Sequence, residues 1–457
     1  MATPQSFVEH ALATSTADDC TVVVREKTSA NLRWANNTLT TNGVMSGVEV
    51  TVVSFVGQAS ASTTASVTTT EGLDALVEAA DAAAREADPA EDANELPRDR
   101  VSPDWDEPPV RTDIHVYDAV APALGEAFAR AGAEGRVLYG FVNHELFTTY
   151  LGSSTGLRLR HVQPTGHVGC TGKTADLTRS AWVGAATRDF TDVDPLAIDE
   201  ELTRRLAWAE RRVDLPAGRY DTILPPSAMA DLMIDAYWAA GARVAWEGQS
   251  VYSQRGGGTR IGQRLAREGV TLYSDPAHPG LECLPFALTP RSSNTASVFD
   301  NGLPLERTDW IRDGELTALL QTRHSAAMTS QPLTPGVDNL LLSIDGATGS
   351  VEDLVAGTER GLLLTCLWYI REVDPQTRLL TGLTRDGVYL VEDGEITGAV
   401  NNFRFNESPI DVLARFTHAS ATVPAFSREW GEDFFSRTAM PALRVPDFNM
   451  SSVSQAQ

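Results

Sequence analysis

The chain has 457 residues, 42% of them hydrophobic and 21% charged, which is enough for roughly two or three globular domains around a large core. Its net charge of −24 argues against a nucleic-acid backbone or an anionic membrane as the main partner. Cys20, Cys170, Cys283 and Cys366 are far apart and form no C-x-x-C pair, so neither a cysteine-only zinc site nor a disulfide framework is visible. The first twenty residues carry no basic and apolar leader pattern, and the longest nearly apolar run, Gly361–Ile370, is too short to cross a bilayer; a reducing cytoplasm is the expected compartment.

Pro4–Thr14 reads as a short amphipathic helix, and the runs CTVVVREKTSANLRWA, GVEVTVVSFV and QASASTTAS read as strands. Leu73, Leu76, Val77 and Ala80 give the stretch Glu71–Ala87 helical spacing. Arg85 to Asp113 holds ten acidic residues, four arginines and five prolines, poor core material that reads as a surface connection. YDAVAPALGEAFARAGA restores a helix.

Next come HELFTTYL and LRLRHV, two strand-like runs around Gly152-Ser153-Ser154-Thr155-Gly156. The match to G-x-S-x-G would make Ser154 a nucleophile only where a strand enters a sharp turn and a helix leaves it. Strand, turn, strand makes Ser154 a hairpin-tip residue instead. Gly166–Thr174 (GHVGCTGKT) imitates a phosphate loop but misses the G-x-x-x-x-G-K-[ST] spacing by one residue, and reads as a loop between two antiparallel strands. His161, His167 and Cys170 are competent zinc ligands in type, but their spacing fits no standard module, and His161 shares a strand face with Leu157 and Leu159. The chain's one His-Glu pair, His144-Glu145, is followed at four and five residues after the histidine by Thr148 and Thr149, so no H-E-x-x-H site exists.

Beyond Pro216 the character changes. RYDTILPPSAMADLMIDAYWAAGARVAW reads as a strand, a proline break and a helix from about Ser227, and the rest is dominated by hairpins such as those at Asp313-Gly314 and Asp393-Gly394. The expected fold class is α+β. An N-terminal domain, residues 1–215, has a largely antiparallel sheet with flanking helices, and a C-terminal domain, residues 216–457, is β-rich and barrel-like. Trp246, Trp368 and Tyr369 could line a ligand groove but are expected in the core. In NNFRFN, Asn402 and Arg404 alternate with Phe403 and Phe405, so the strand has one apolar and one polar face. Asn402 and Arg404 are the candidate substrate contacts.

WEGQSVYS (Trp246–Ser253), VTLYSDPAHPG, VFDNGLPLERTDWIRDGELTALLQTRHSA, VEDGEITGAVNNFRFNESPIDVLARF and ALRVPDFNMSS, in this order and spacing, resemble the TldD/PmbA family, also called TldD/TldE, over most of the chain. The resemblance implies an α+β domain followed by a β-barrel-like one. In this family a TldD-like subunit carries His-Glu-x-x-x-His and a later cysteine as its zinc site, while the TldE-like subunit lacks them and pairs with it in a heterodimeric peptidase. Aligned on WEGQSVYS, the two histidine positions hold Met233 and Trp238 and the glutamate position holds Ile234; aligned on Pro441-Ala442-Leu443, the cysteine position holds Ser427. None offers zinc an imidazole, thiolate or carboxylate, and Ile234 cannot act as a base.

The resemblance therefore points to the TldE side, with no catalytic residue and no metal in this chain. A TldD-like partner would supply zinc and general base, and short or unfolded peptides would be the substrates. The alternative is a homodimeric peptide-binding or scaffold protein that takes a peptide by strand addition.

Overall fold

The computed structural model describes residues 3–431 and 437–455. Six strands form an antiparallel sheet in the order β3-β2-β1-β4-β5-β6: β1 (Asp19–Ala35), β2 (Thr38–Val56), β3 (Ala59–Ser66), β4 (Arg136–Ser153), β5 (Arg158–Thr174) and β6 (Ser180–Thr187). The β1–β2 hairpin closes through Asn36 and Asn37 at φ 51° and 59°, a left-handed pair that asparagine tolerates and that matches the twist of the strands.

Alternation along β1 divides the environment of this sheet. Its even-numbered Val22 and Val24 pack with Phe7, Val8 and Ala11 of α1 (Pro4–Thr14) and with Leu73, Val77 and Ala80 of α2 (Thr70–Glu86). Farther along the same face, Leu32 and Trp34 meet Leu124 and Ala127 of α3 (Val120–Ala133) and Leu202 and Leu206 of α4 (Pro195–Trp208). The odd-numbered Val23 packs instead with Leu157, Leu159 and Phe286, so the opposite face leans on the later half of the chain.

The strands from Arg212 onward form a six-stranded and a ten-stranded sheet, both of mixed strand direction. Both Asp-Gly hairpins are present: Asp313 and Gly314 stand at φ 49° and 78°, and Asp393 and Gly394 at 51° and 82°. Between the sheets runs α5 (Pro226–Trp238), opened by a proline whose missing N–H costs nothing in the first turn. Every residue from Ala228 to Tyr237 is buried, the mark of a helix enclosed on all sides.

Four expectations need correction. The C-terminal sheets are extensive, but neither closes into a barrel among the described residues; each keeps two end strands. Gly166–Thr174 is no loop: it lies inside β5 and is laddered on both sides, His167 opposite Asn143 and opposite Ala186. The acidic connection is less peripheral than its composition suggests, for Trp105 is buried edge-on against Tyr150 and Asp104 accepts from Arg160 at 2.6 Å. Trp246 and Tyr369 are not core residues, being 42% and 56% exposed. The helix α4 had no counterpart in the reading of the sequence.

Candidate functional site

The positions that the family resemblance assigns to zinc chemistry lie where α5 meets the segment Phe426–Trp430. Met233 and Ile234 are fully buried apolar side chains of α5. Trp238, at the end of the helix, packs edge-on against Trp430 with centroids 5.2 Å apart. Ser427 donates a hydrogen bond to Oδ1 of Asp231 at 2.6 Å and accepts one from the Trp430 backbone N–H at 2.9 Å. The Asp231 carboxylate also receives the Glu429 N–H at 3.0 Å, and Trp430 Nε1 donates to the Asp231 carbonyl at 2.9 Å. These bonds make Phe426–Trp430 a clasp on α5.

Burial governs the electrostatics here. Asp231 is completely enclosed, and desolvation pushes its carboxyl up to about 7 against the opposing pull of its hydrogen-bond donors. Its Oδ2 has no hydrogen-bond partner among the described residues. One turn on, Asp235 takes Nε of Arg378 at 2.8 Å, and burial raises its carboxyl too. Glu429, raised likewise by burial, accepts the backbone N–H groups of Tyr369 and Ile370, each at 3.0 Å. These bonds hold Tyr369 at φ 53°, a costly backbone setting for a bulky residue, with its ring in solvent.

The clasp also reaches the N-terminal sheet. Phe426 stacks on His167 at 5.4 Å and on Trp182 at 6.4 Å. The Arg428 guanidinium lies 5.1 Å from the Trp182 ring centroid and 4.2 Å from that of Trp368. Beside Phe426 opens a cleft of about 820 Å³ between β5–β6 and the six-stranded C-terminal sheet, its lining including an Arg188–Glu282 ion pair at 2.7 Å.

Other candidates disperse. Ser154 occupies the β4–β5 turn, where its hydroxyl donates to Asp19 at 2.7 Å and accepts the Cys20 N–H at 3.1 Å; a strand, not a helix, follows the turn, so the nucleophile-elbow geometry is absent there. His161 and His167 share a face of β5 but stand about 20 Å apart along an extended strand, while Cys170 points to the other face. His161 bonds Gln163 at 3.0 Å and burial depresses its pKa. Burial holds the Cys170 thiol at about 12. His144 is a buried tie between Thr112 (2.6 Å) and the Arg188 carbonyl (2.7 Å). Asn402 lines a second cleft, about 810 Å³, at the β5–β6 turn; Arg404 lies outside that lining and donates to Thr381 at 3.2 Å.

Among the described residues no cluster of three or more His, Cys, Asp and Glu side chains is placed to hold a metal. Among the described residues Asp231 is the carboxylate that Ser427 meets, and a hydroxyl with one carboxylate is no zinc donor set. The arrangement does not fit zinc. Sequence reading passed over Asp231, Asp235, Arg428 and Glu429, although two aspartates four residues apart in an apolar helix were a visible signal that the helix meets polar partners on one side.

Comparison with known proteins bears on what this architecture is. Three domain profiles match in chain order: PmbA/TldA metallopeptidase domain 1 over residues 20–85, the central domain over 62–210 and the C-terminal domain over 217–452. No curated protein matches the chain. TldE from Thermococcus kodakarensis shares the fold with a TM-score of 0.75 at 16% identity, over 97% of this chain and 99% of that one. A protein described as a proposed modulator of a DNA gyrase, from Thermotoga maritima, superposes at 0.76 and 16% identity with the same coverage, 97% and 99%. A similarly described protein from Bacteroides thetaiotaomicron does so at 0.74 and 15%, over 98% of each chain. With its C-terminal profile alone spanning more than half of the sequence, the chain belongs to the PmbA/TldD metallopeptidase family.

Proposed function

We propose that this chain is the metal-free, TldE-like subunit of a heterodimeric zinc peptidase, acting in the cytoplasm on short or unfolded peptides. A TldD-like partner supplies zinc and general base; this chain supplies an interface, a wall of the active-site chamber and substrate contacts. One observation carries the reading: the helix aligned with a zinc helix is a buried core helix, and the residue aligned with the cysteine ligand is a serine engaged by Asp231 and Trp430. Four buried, unpaired cysteines suit a reducing compartment.

The test is the zinc content of the untagged chain purified alone, followed by co-expression with a family member carrying His-Glu-x-x-x-His. The reading expects well under one zinc per chain, no peptidase activity alone, and activity on an unfolded peptide when the two chains co-purify. One tightly held zinc per isolated chain would overturn it.

A further inference from the structure

The cleft beside Phe426 joins apolar walls to charged groups. Its lining brings Tyr273, Leu341, Ala425 and Ala439 together with Gly184 and Ala185 of β6, and its volume of about 820 Å³ is that of a ligand pocket. Most of the charges in it are already engaged. Glu282 pairs with Arg188 at 2.7 Å, Asp189 accepts the hydroxyl and the N–H of Thr191, and Asp192 accepts the Thr187 hydroxyl.

Arg437, in the same lining, differs. Its Nε donates to the Asp338 carbonyl at 3.0 Å and its Nη1 to the Thr165 hydroxyl at 3.1 Å. Both acceptors are neutral. No carboxylate pairs with this guanidinium, and Nη2 bonds no acceptor, among the described residues. Two bonds to fixed neighbours hold the plane of the group, and the donors left over suit the two oxygens of a carboxylate. A chain of net charge −24 repels a carboxylate in general, so one that binds here is chosen by this local cation and not by the overall field.

We infer that the cleft holds a short peptide by its C-terminal carboxylate, with Arg437 taking the carboxylate oxygens and the apolar walls taking the last side chain. That the ligand is a peptide rests on the function proposed above; that it is held by a carboxylate rests on Arg437. A small inorganic anion would leave the apolar walls uncovered.

Calorimetric titration of the full chain, purified alone, with the tripeptide Ala-Ala-Phe tests this directly. The free acid should bind, and its C-terminal amide should bind about tenfold or more weakly, because amidation removes the charge and one acceptor oxygen. Arg437→Gln should erase that difference, and Arg437→Lys should restore only part of it, since an ammonium lacks the planar fork. Arg360→Gln, at an exposed arginine outside the cleft, should leave the acid preferred. Thermal midpoints report whether each variant folds, and the comparison of acid with amide on the unaltered chain needs no variant. No binding of the acid, equal binding of acid and amide, or an acid preference that survives Arg437→Gln would overturn the inference. Inorganic phosphate displacing the peptide at equal concentration would overturn it too, by showing a simple anion site. One zinc in the isolated chain would overturn the proposed function and leave the acid preference standing, so the two failures are told apart.

Discussion

Ser427 and Asp231, 196 residues apart in sequence, share a buried hydrogen bond of 2.6 Å from Oγ to Oδ1. The hydroxyl does two jobs, donating to the carboxylate and accepting the Trp430 N–H. Ser427→Ala removes both while Asp231 stays enclosed, which should cost ~1–3 kcal/mol. A lowered thermal midpoint with unchanged secondary structure is the expected result; an unchanged midpoint would show that the clasp does not hold the helix.

The pH dependence follows from the raised carboxyl of Asp231, at about 7 in the fold against an ordinary 3.8. Between those values the folded chain binds a proton that the unfolded chain has released, so Asp231 makes stability fall as pH rises from about 4 to 7. Glu429, raised in the same direction, adds to the slope, whereas Arg428 opposes it by favouring the charged carboxylate. Asp231→Asn should flatten the thermal midpoint across this window and raise it relative to wild type at pH 8. Equal slopes for the two proteins would refute a shifted Asp231.

Arg428 lies against the rings of Trp182 and Trp368, one from each half of the chain. Arg428→Ala should destabilise by ~1–2 kcal/mol, and Arg428→Lys should recover part of the loss because the cation is kept without the planar stack. Indifference of stability and tryptophan fluorescence to both changes would count against this contact.

Gly140 lies where β4 passes Trp34 and β5. A Cβ there would come 2.2 Å from the Gly169 carbonyl oxygen and 2.7 Å from the Trp34 ring. Since one of these neighbours is backbone in a laddered strand, Gly140→Ala should cost ~1–3 kcal/mol or more and be seen as a fall in soluble yield and midpoint.

Tyr369 gives the opposite expectation. Its backbone is left-handed and its ring exposed, so Tyr369→Gly should relieve ~1 kcal/mol of strain and raise the midpoint. A clear loss of stability would mean that the contacts of the ring with Trp368 and Arg371 outweigh the backbone cost.

Much of the architecture was legible because it rests on local chemistry. The Asp-Gly turns, the proline before α5 and the period of α2 each specify geometry within a few residues, and each is present. The barrel expectation failed because sheet closure depends on which distant strands pair, something no local pattern encodes. The phosphate-loop look-alike failed for a related reason: within β5, Gly166 and Gly172 make room for close neighbours, with Phe190 2.9 Å from a Cβ at Gly166 and Leu202 3.2 Å from one at Gly172. Glycines chosen for crowding look, in sequence, like glycines chosen for turning. The clasp was least visible, since Asp231 and Ser427 acquire meaning only through a contact across 196 positions.

That clasp has a mechanical consequence. Phe426 grips aromatic rings of the N-terminal sheet, Arg428 spans Trp182 and Trp368, and Ser427, Glu429 and Trp430 grip the helix and strands of the C-terminal half. Neighbouring side chains are thus bolted to different bodies, with Arg428 fastened to both. Turning one half against the other would therefore break either the Phe426–His167 stack or the Ser427–Asp231 bond, and the five residues of the clasp fix the angle between two sheets hundreds of positions apart in the chain.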